Sequence, residues 1–158
     1  MLNIFIKTFI FIFFISSPTY SFEIKWVVDG LNEPESAVFD KKNSAIYISN
    51  INGDPLKLDK NGYISKISVD GQILEKKWIK GLDAPKGMTI FNDHLFVADI
   101  NKIWKINTLN KKKQFFSVNG AGFLNDLAVD KKGSIYASDM FKNRIYQLQN
   151  NNITIWKQ

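Results

Sequence analysis

The feature that most limits what this chain can fold into is the stretch Phe123 to Asp139, F-L-N-D-L-A-V-D-K-K-G-S-I-Y-A-S-D. It reads as a polar pair Asn125-Asp126, a short apolar strand Leu127-Ala128-Val129, a turn Asp130-Lys131-Lys132-Gly133 and a second strand Ser134 to Ser138 that stops at Asp139. Turn residues between two short β-branched and aromatic runs predict a hairpin. A lone hairpin is marginal in water, so the rest of the chain must supply it with partners.

Two upstream copies do so. Pro34 to Asp40 followed by Ile46 to Asn50 is the first, and Pro85 to Phe91 followed by Leu95 to Asp99 is the second. Each copy continues into a third strand, Tyr63 to Ile67, Lys102 to Ile106 or Arg144 to Leu148, and then into a fourth. The fourth is marked by Lys77-Trp78-Ile79 and Ile155-Trp156-Lys157, with Gln114-Phe115-Phe116 between them. The wider spacing of the first two copies lies in the loop Ile51 to Gly62. Four short strands per unit of roughly 40 residues is the pattern of propeller blades. The expected fold is therefore all-β: a β-propeller of four-stranded antiparallel blades with three blades present, a partial or half ring. Blade one is placed at 33–80, blade two at 84–117 and blade three at 124–158.

Residues 1–21 stand apart from this pattern. Lys7, the apolar run Phe9 to Ile15, and Ser16, Ser17, Pro18, Thr19 and Ser21 outline a secretory signal peptide cut between Ser21 and Phe22. The apolar run is too short for a comfortable span, so no stable membrane span is expected after cleavage. The protein is expected to be periplasmic or secreted. It has no cysteine, which excludes disulfides, thiol catalysis and thiolate metal sites.

The net charge of +6 comes from lysine: among 21 basic side chains only Arg144 is arginine. Arginine is the side chain that grips phosphates and bases bidentately, and the lysines group at expected turns (Lys41-Lys42, Lys76-Lys77, Lys111 to Lys113, Lys131-Lys132). Such pairs read as solvated, aggregation-blocking features, and no nucleic-acid partner is expected.

Ile24 to Val28 resembles the strand around Trp78, since both lead through Gly-Leu into a repeat, and it is expected to form a spare N-terminal strand. Three blades do not close a ring, and open end faces would expose apolar surface. Either the chain is the N-terminal half of a longer protein, the preferred alternative, or two copies meet as a homodimer that closes six blades.

Within a blade, the start of the first strand and the end of the second share a rim because the two are antiparallel. This places Glu35, Lys86 and Asn125 around one mouth of the channel, with Asp126 beside Asn125 and with Asn50, Asp99 and Asp139 in an outer ring. Converging oxygens suit a divalent metal, calcium foremost, with zinc or manganese accepted less selectively. Asp99 and Asp139 also suit the duller role of accepting backbone N–H bonds in turns. Lys86 has three readings: pairing with Glu35, holding an anionic substrate, or pointing out of the channel. His94 sits in a hairpin tip on the opposite rim without a visible orienting partner.

The runs P-E-S-A-V-F-D with I-Y-I-S-N, and L-N-D-L-A-V-D-K-K-G-S-I-Y-A-S-D, resemble the regucalcin/gluconolactonase family of six-bladed propellers, also called senescence marker proteins. The resemblance spans Leu31 to about Gln149 and half of a family ring. It implies a metal-dependent hydrolase of sugar lactones, with a lactone as the small-molecule substrate. By position it implies Glu35 and Asn125 as metal ligands, Glu35 matching the first-blade glutamate. The aspartate of a later blade has no counterpart, so the chain is expected to lack full activity. The alternative is a non-catalytic propeller that binds a small ligand or a protein partner at the channel mouth.

Overall fold

The structure, a computed structural model, describes residues 22–158. The expected signal peptide falls outside the described residues. Twelve strands form three antiparallel sheets of four, each in sequential order. Blade one consists of β1 (Pro34–Asp40), β2 (Ala45–Asn50), β3 (Gly62–Ser68) and β4 (Ile73–Leu82). Blade two consists of β5 (Pro85–Phe91), β6 (His94–Asp99), β7 (Lys102–Asn107) and β8 (Lys113–Ser117). Blade three consists of β9 (Leu124–Val129), β10 (Ile135–Asp139), β11 (Arg144–Gln149) and β12 (Asn152–Lys157). The sequence expectation of three four-stranded blades is met strand for strand.

Local chemistry sets the turns. Asn150 and Asn151 both adopt positive φ, 50° and 62°, the mirror-image turn whose twist suits a two-residue hairpin. Consequently β12 starts at Asn152, earlier than the tryptophan marker suggests.

Side-chain alternation builds the core between blades rather than inside them. On β6, Leu95 and Val97 face blade one and pack with Tyr47, Ile64, Trp78 and Met88. Phe96 and Ala98 face blade three and pack with Leu124, Leu127, Ile135, Tyr146 and Leu148. Blade two is thus covered on both faces, which is why β6 reads as an unbroken apolar run. Burying each large apolar side chain contributes about 1.5–3 kcal/mol, enough to hold neighbouring blades together without interblade ladders. The inner strands lie side by side, β1 against β5 and β5 against β9.

Two expectations are corrected here. Ile24 to Val28 forms no strand. It lies beside the outward face of blade one, where Trp26, Val28 and Leu31 wall an apolar pocket together with Ala37, Ile46, Ile48 and Ile67. The Trp26 Nε1 donates to the Val69 carbonyl at 3.1 Å. Covering bare apolar sheet outweighs a ladder at an edge already occupied by β4. Lys76-Lys77 lies inside β4 rather than at a turn, where the outermost strand leaves both side chains in solvent. Among the described residues no helix is long and apolar enough to cross a membrane.

Candidate functional site

All three inner strands break register at the same place. Pro34 pairs with Asn50 and Ser36 with Ser49, leaving Glu35 without a partner. Between the Pro85–Asp99 and Met88–Val97 pairs, Lys86 and Gly87 together face Ala98. Between the Leu124–Asp139 and Leu127–Ala137 pairs, Asn125 and Asp126 together face Ser138. Such bulges interrupt alternation and re-aim the side chains they contain, a device common beside active sites. The orphaned N–H groups are satisfied locally: Ser36 donates to Ser49 Oγ and Asp126 to Ser138 Oγ, each at 3.0 Å. The Ser-Asn and Ser-Asp pairs that end β2 and β10 were the sequence signal for this arrangement.

The outer ring of Asn50, Asp99 and Asp139 has a different role from the expected channel-mouth contacts. All three are buried and turn into the backbone. Asp139 accepts N–H bonds from Gly122 (2.8 Å), Phe123 (3.0 Å), Phe141 (3.1 Å) and Lys142 (3.1 Å). Asp99 accepts from Asp83 N (2.9 Å), Ala84 N (2.7 Å) and the indole Nε1 of Trp104 (2.8 Å). Asn50 accepts from Asn32 N at 3.2 Å and donates to Ile48 O and Ser65 Oγ, each at 3.0 Å. Each residue thus latches the chain arriving just before its own blade's inner strand. Buried N–H groups need acceptors, and these side chains supply them. The duller turn-acceptor role is the one the geometry assigns.

Lys86 is the most confined charge near the mouth, only 2% exposed. Its ammonium donates to Ala84 O at 2.8 Å and Pro55 O at 3.2 Å, and lies 4.3 Å from the centroid of the Phe123 ring. No carboxylate among the described residues comes within ion-pair distance of it. It therefore neither pairs with Glu35 nor points outward. Burial pushes its pKa below the ordinary lysine value, opposed by the charges of Asp99 and Glu35. Pro55 belongs to the extra loop between β2 and β3, so Lys86 ties that loop to the rim. Asp83 anchors the same loop by accepting from Lys60 N at 3.1 Å, and it pairs with Lys102 at 2.6 Å.

Glu35 is exposed on β1, yet partial burial of its carboxyl raises its pKa above the usual glutamate value. The Lys86 charge opposes that rise and the Asp126 charge reinforces it. Residues from three blades therefore share one electrostatic neighbourhood. Asn125 is half-buried in the β9 bulge beside them. Asp126 is exposed, and its Oδ1 accepts from Leu127 N at 2.8 Å. Gly87, which sequence reasoning passed over, lets this cluster close: a β-carbon there would stand 2.6 Å from Asp126 Cα and 2.9 Å from Asn125 O.

The donor set expected for a divalent cation is short. A hard dication such as calcium takes about six to eight oxygens. Among the described residues no three His, Cys, Asp or Glu side chains converge on a common point. Glu35, Asn125 and Asp126 remain as side-chain donors, fewer than such an ion takes, beside a fixed ammonium that repels a cation. The described residues alone do not fit a resident metal. His94 opens β6 at the opposite end of blade two, paired with Phe91, far from this mouth.

No protein-family model matches the chain, and no curated protein matches it. Among solved structures it is similar to selenomethionine-substituted virginiamycin B lyase from Staphylococcus aureus, with a TM-score of 0.61 and 20% identity. The match covers 80% of this chain and 42% of that one, so the chain spans about two fifths of the length of that structure. Together with three four-stranded antiparallel sheets, this likeness shows the fold: the chain is an all-β protein of the β-propeller kind.

Proposed function

We propose that the mouth formed by Glu35, Lys86, Asn125 and Asp126 binds a small polar molecule of the sugar-lactone class, as part of an exported, six-bladed propeller. The observation that carries this reading is the coincidence of three bulges, one per blade, at the same rim. They gather a carboxyl whose pKa burial raises, a buried ammonium, an amide and a second carboxylate. A lactone presents a carbonyl and several hydroxyls, which such a mixed set of donors and acceptors can orient.

The resemblance to the regucalcin/gluconolactonase family supports the choice of a lactone. Metal-assisted hydrolysis of that lactone calls for acidic ligands beyond those the described residues bring together. Binding is therefore the reading the geometry favours over turnover. The loop that carries Pro55 stands at this rim, and its exposed Leu56 and Leu58 suit the apolar edge of a ligand.

Calorimetric titration of a sugar lactone into the wild type and Glu35→Ala, with and without added calcium, tests the proposal. A saturable heat in the wild type that is lost in the variant is expected. Equal heats in both proteins would remove Glu35 from the site, and no heat in either would remove the lactone. A requirement for calcium would restore the metal-dependent version.

A further inference from the structure

A groove between blades two and three opens at the rim opposite Glu35 and is independent of the channel mouth. Cross-strand register builds it. On β6, β7 and β8 the rows Phe96–Lys105–Gln114 and His94–Asn107 place their side chains on the face turned toward blade three. The hydrogen bond from Asn107 N to Lys112 O at 2.8 Å brings Lys112 to the end of the second row. One half of the groove, about 480 Å³, is walled by His94, Lys105, Asn107, Lys112, Lys113 and Gln114 among others. The other half, about 410 Å³, shares His94 and Lys105 and is walled by Phe91, Phe96, Phe116, Ile135 and Leu148, with Asn150 and Asn151 at its lip.

Charge and shape point the same way. No aspartate or glutamate lines either half. Among the described residues Lys105 and Lys112 take part in no ion pair. Lys113 is partly engaged, donating to the Lys80 carbonyl and lying 4.9 Å from the Trp104 ring centroid. The neighbouring acid, Asp93, is held by Lys42 at 2.5 Å, which offsets its charge. The Lys113 ammonium thus lies on the face toward blade one, while Lys105, Lys112 and the His94 ring form an uncompensated head pocket and the phenylalanines an apolar body pocket beside it. Lys105 bridges the two, 5.9 Å from the Phe96 ring centroid.

We propose that this groove binds a small aromatic anion. A phosphate or carboxylate head sits against Lys105, Lys112 and His94, and a flat ring lies over Phe96 and Phe116 toward Ile135 and Leu148. Charge-assisted hydrogen bonds hold the head, and stacking with apolar burial holds the ring. Neither His94 as a catalytic base nor the lysines as mere turn solvation accounts for a concave pocket without a single carboxylate.

The test titrates phenyl phosphate, benzoate and inorganic phosphate into the full-length protein, followed by calorimetry. Saturable binding of phenyl phosphate or benzoate, at least several-fold tighter than inorganic phosphate and weakened by added salt, is expected. Lys105→Ala should weaken it about tenfold or more, since that change removes a charged hydrogen-bond donor. Lys105→Ala with Lys112→Ala should weaken it further, while Lys76→Ala, on the exposed edge of blade one, should leave it unchanged. Absence of binding by either aromatic anion, or equal affinity in the double variant, overturns the proposal. Because Glu35 lies at the other rim, Glu35→Ala should not affect this binding, which separates it from the lactone site.

Discussion

Gly87 on β5 lies so close to Asp126 on β9 that a β-carbon on residue 87 would fall 2.2 Å from Asp126 Oδ1. This contact sets how closely the inner strands of blades two and three approach each other. Gly87→Ala should therefore destabilise the protein by about 1–3 kcal/mol or more, the usual cost of overpacking, read from urea unfolding. Asp126→Ala should not rescue it, because the Asp126 Cα at 2.6 Å and Asn125 O at 2.9 Å would still be in the way. Full rescue would mean that only the carboxylate opposes the added methyl.

The latches make a second prediction. Asp139→Ala would leave the N–H groups of Gly122, Phe123, Phe141 and Lys142 without their acceptor. Of these bonds the one from Phe123 is buried and the others are partly buried; a buried donor left unmet costs about 1–3 kcal/mol, so a loss of that order is expected in chemical denaturation. Asp139→Asn keeps one acceptor oxygen and should lose less. A loss below about 1 kcal/mol in the alanine variant would show that water replaces the carboxylate.

Lys86 predicts a pH dependence. Burial lowers its folded-state pKa below the ordinary 10.5. Between that lowered value and 10.5 the unfolded chain binds the extra proton, so stability rises with pH across this alkaline window. Lys86→Met removes the titrating group, and the rise should flatten. An unchanged slope from pH-dependent unfolding curves would place the titration elsewhere.

Glu35 offers a test of the cluster that needs no ligand. Its carboxyl is raised first by burial, lowered by Lys86 and raised by Asp126. An NMR titration should place it above the usual 4.5, higher still in Lys86→Met and lower in Asp126→Asn. Shifts of the opposite sign, or none, would separate the three side chains.

Most of the fold was legible along the chain. The hairpins of blades one, two and three follow from alternating apolar residues and from Asn, Asp and Gly at turns, signals that act within a few residues. The matching positions of Glu35, Lys86 and Asn125 followed from repeat alignment alone, and the strand registers agree with it. The failures share one cause. Ile24 to Val28 has strand-like composition, but its place depends on an apolar blade face formed by residues 37 to 67. Asn50, Asp99 and Asp139 suited an outer ring at the mouth and, for the two aspartates, turn acceptors as well; only the linker N–H groups beside them decided for the second role.

By itself the sequence determined the number of blades, the order of their strands and which residues stand at which rim, because period-two patterning and turn chemistry are local. Only the tertiary structure decided where the bulged side chains point and what surrounds them. The ammonium of Lys86 is held by Pro55, 31 positions upstream, and by the ring of Phe123 in the segment leading into the next blade. Contacts between residues so far apart in the chain depend on how the blades pack, and no local rule encodes them.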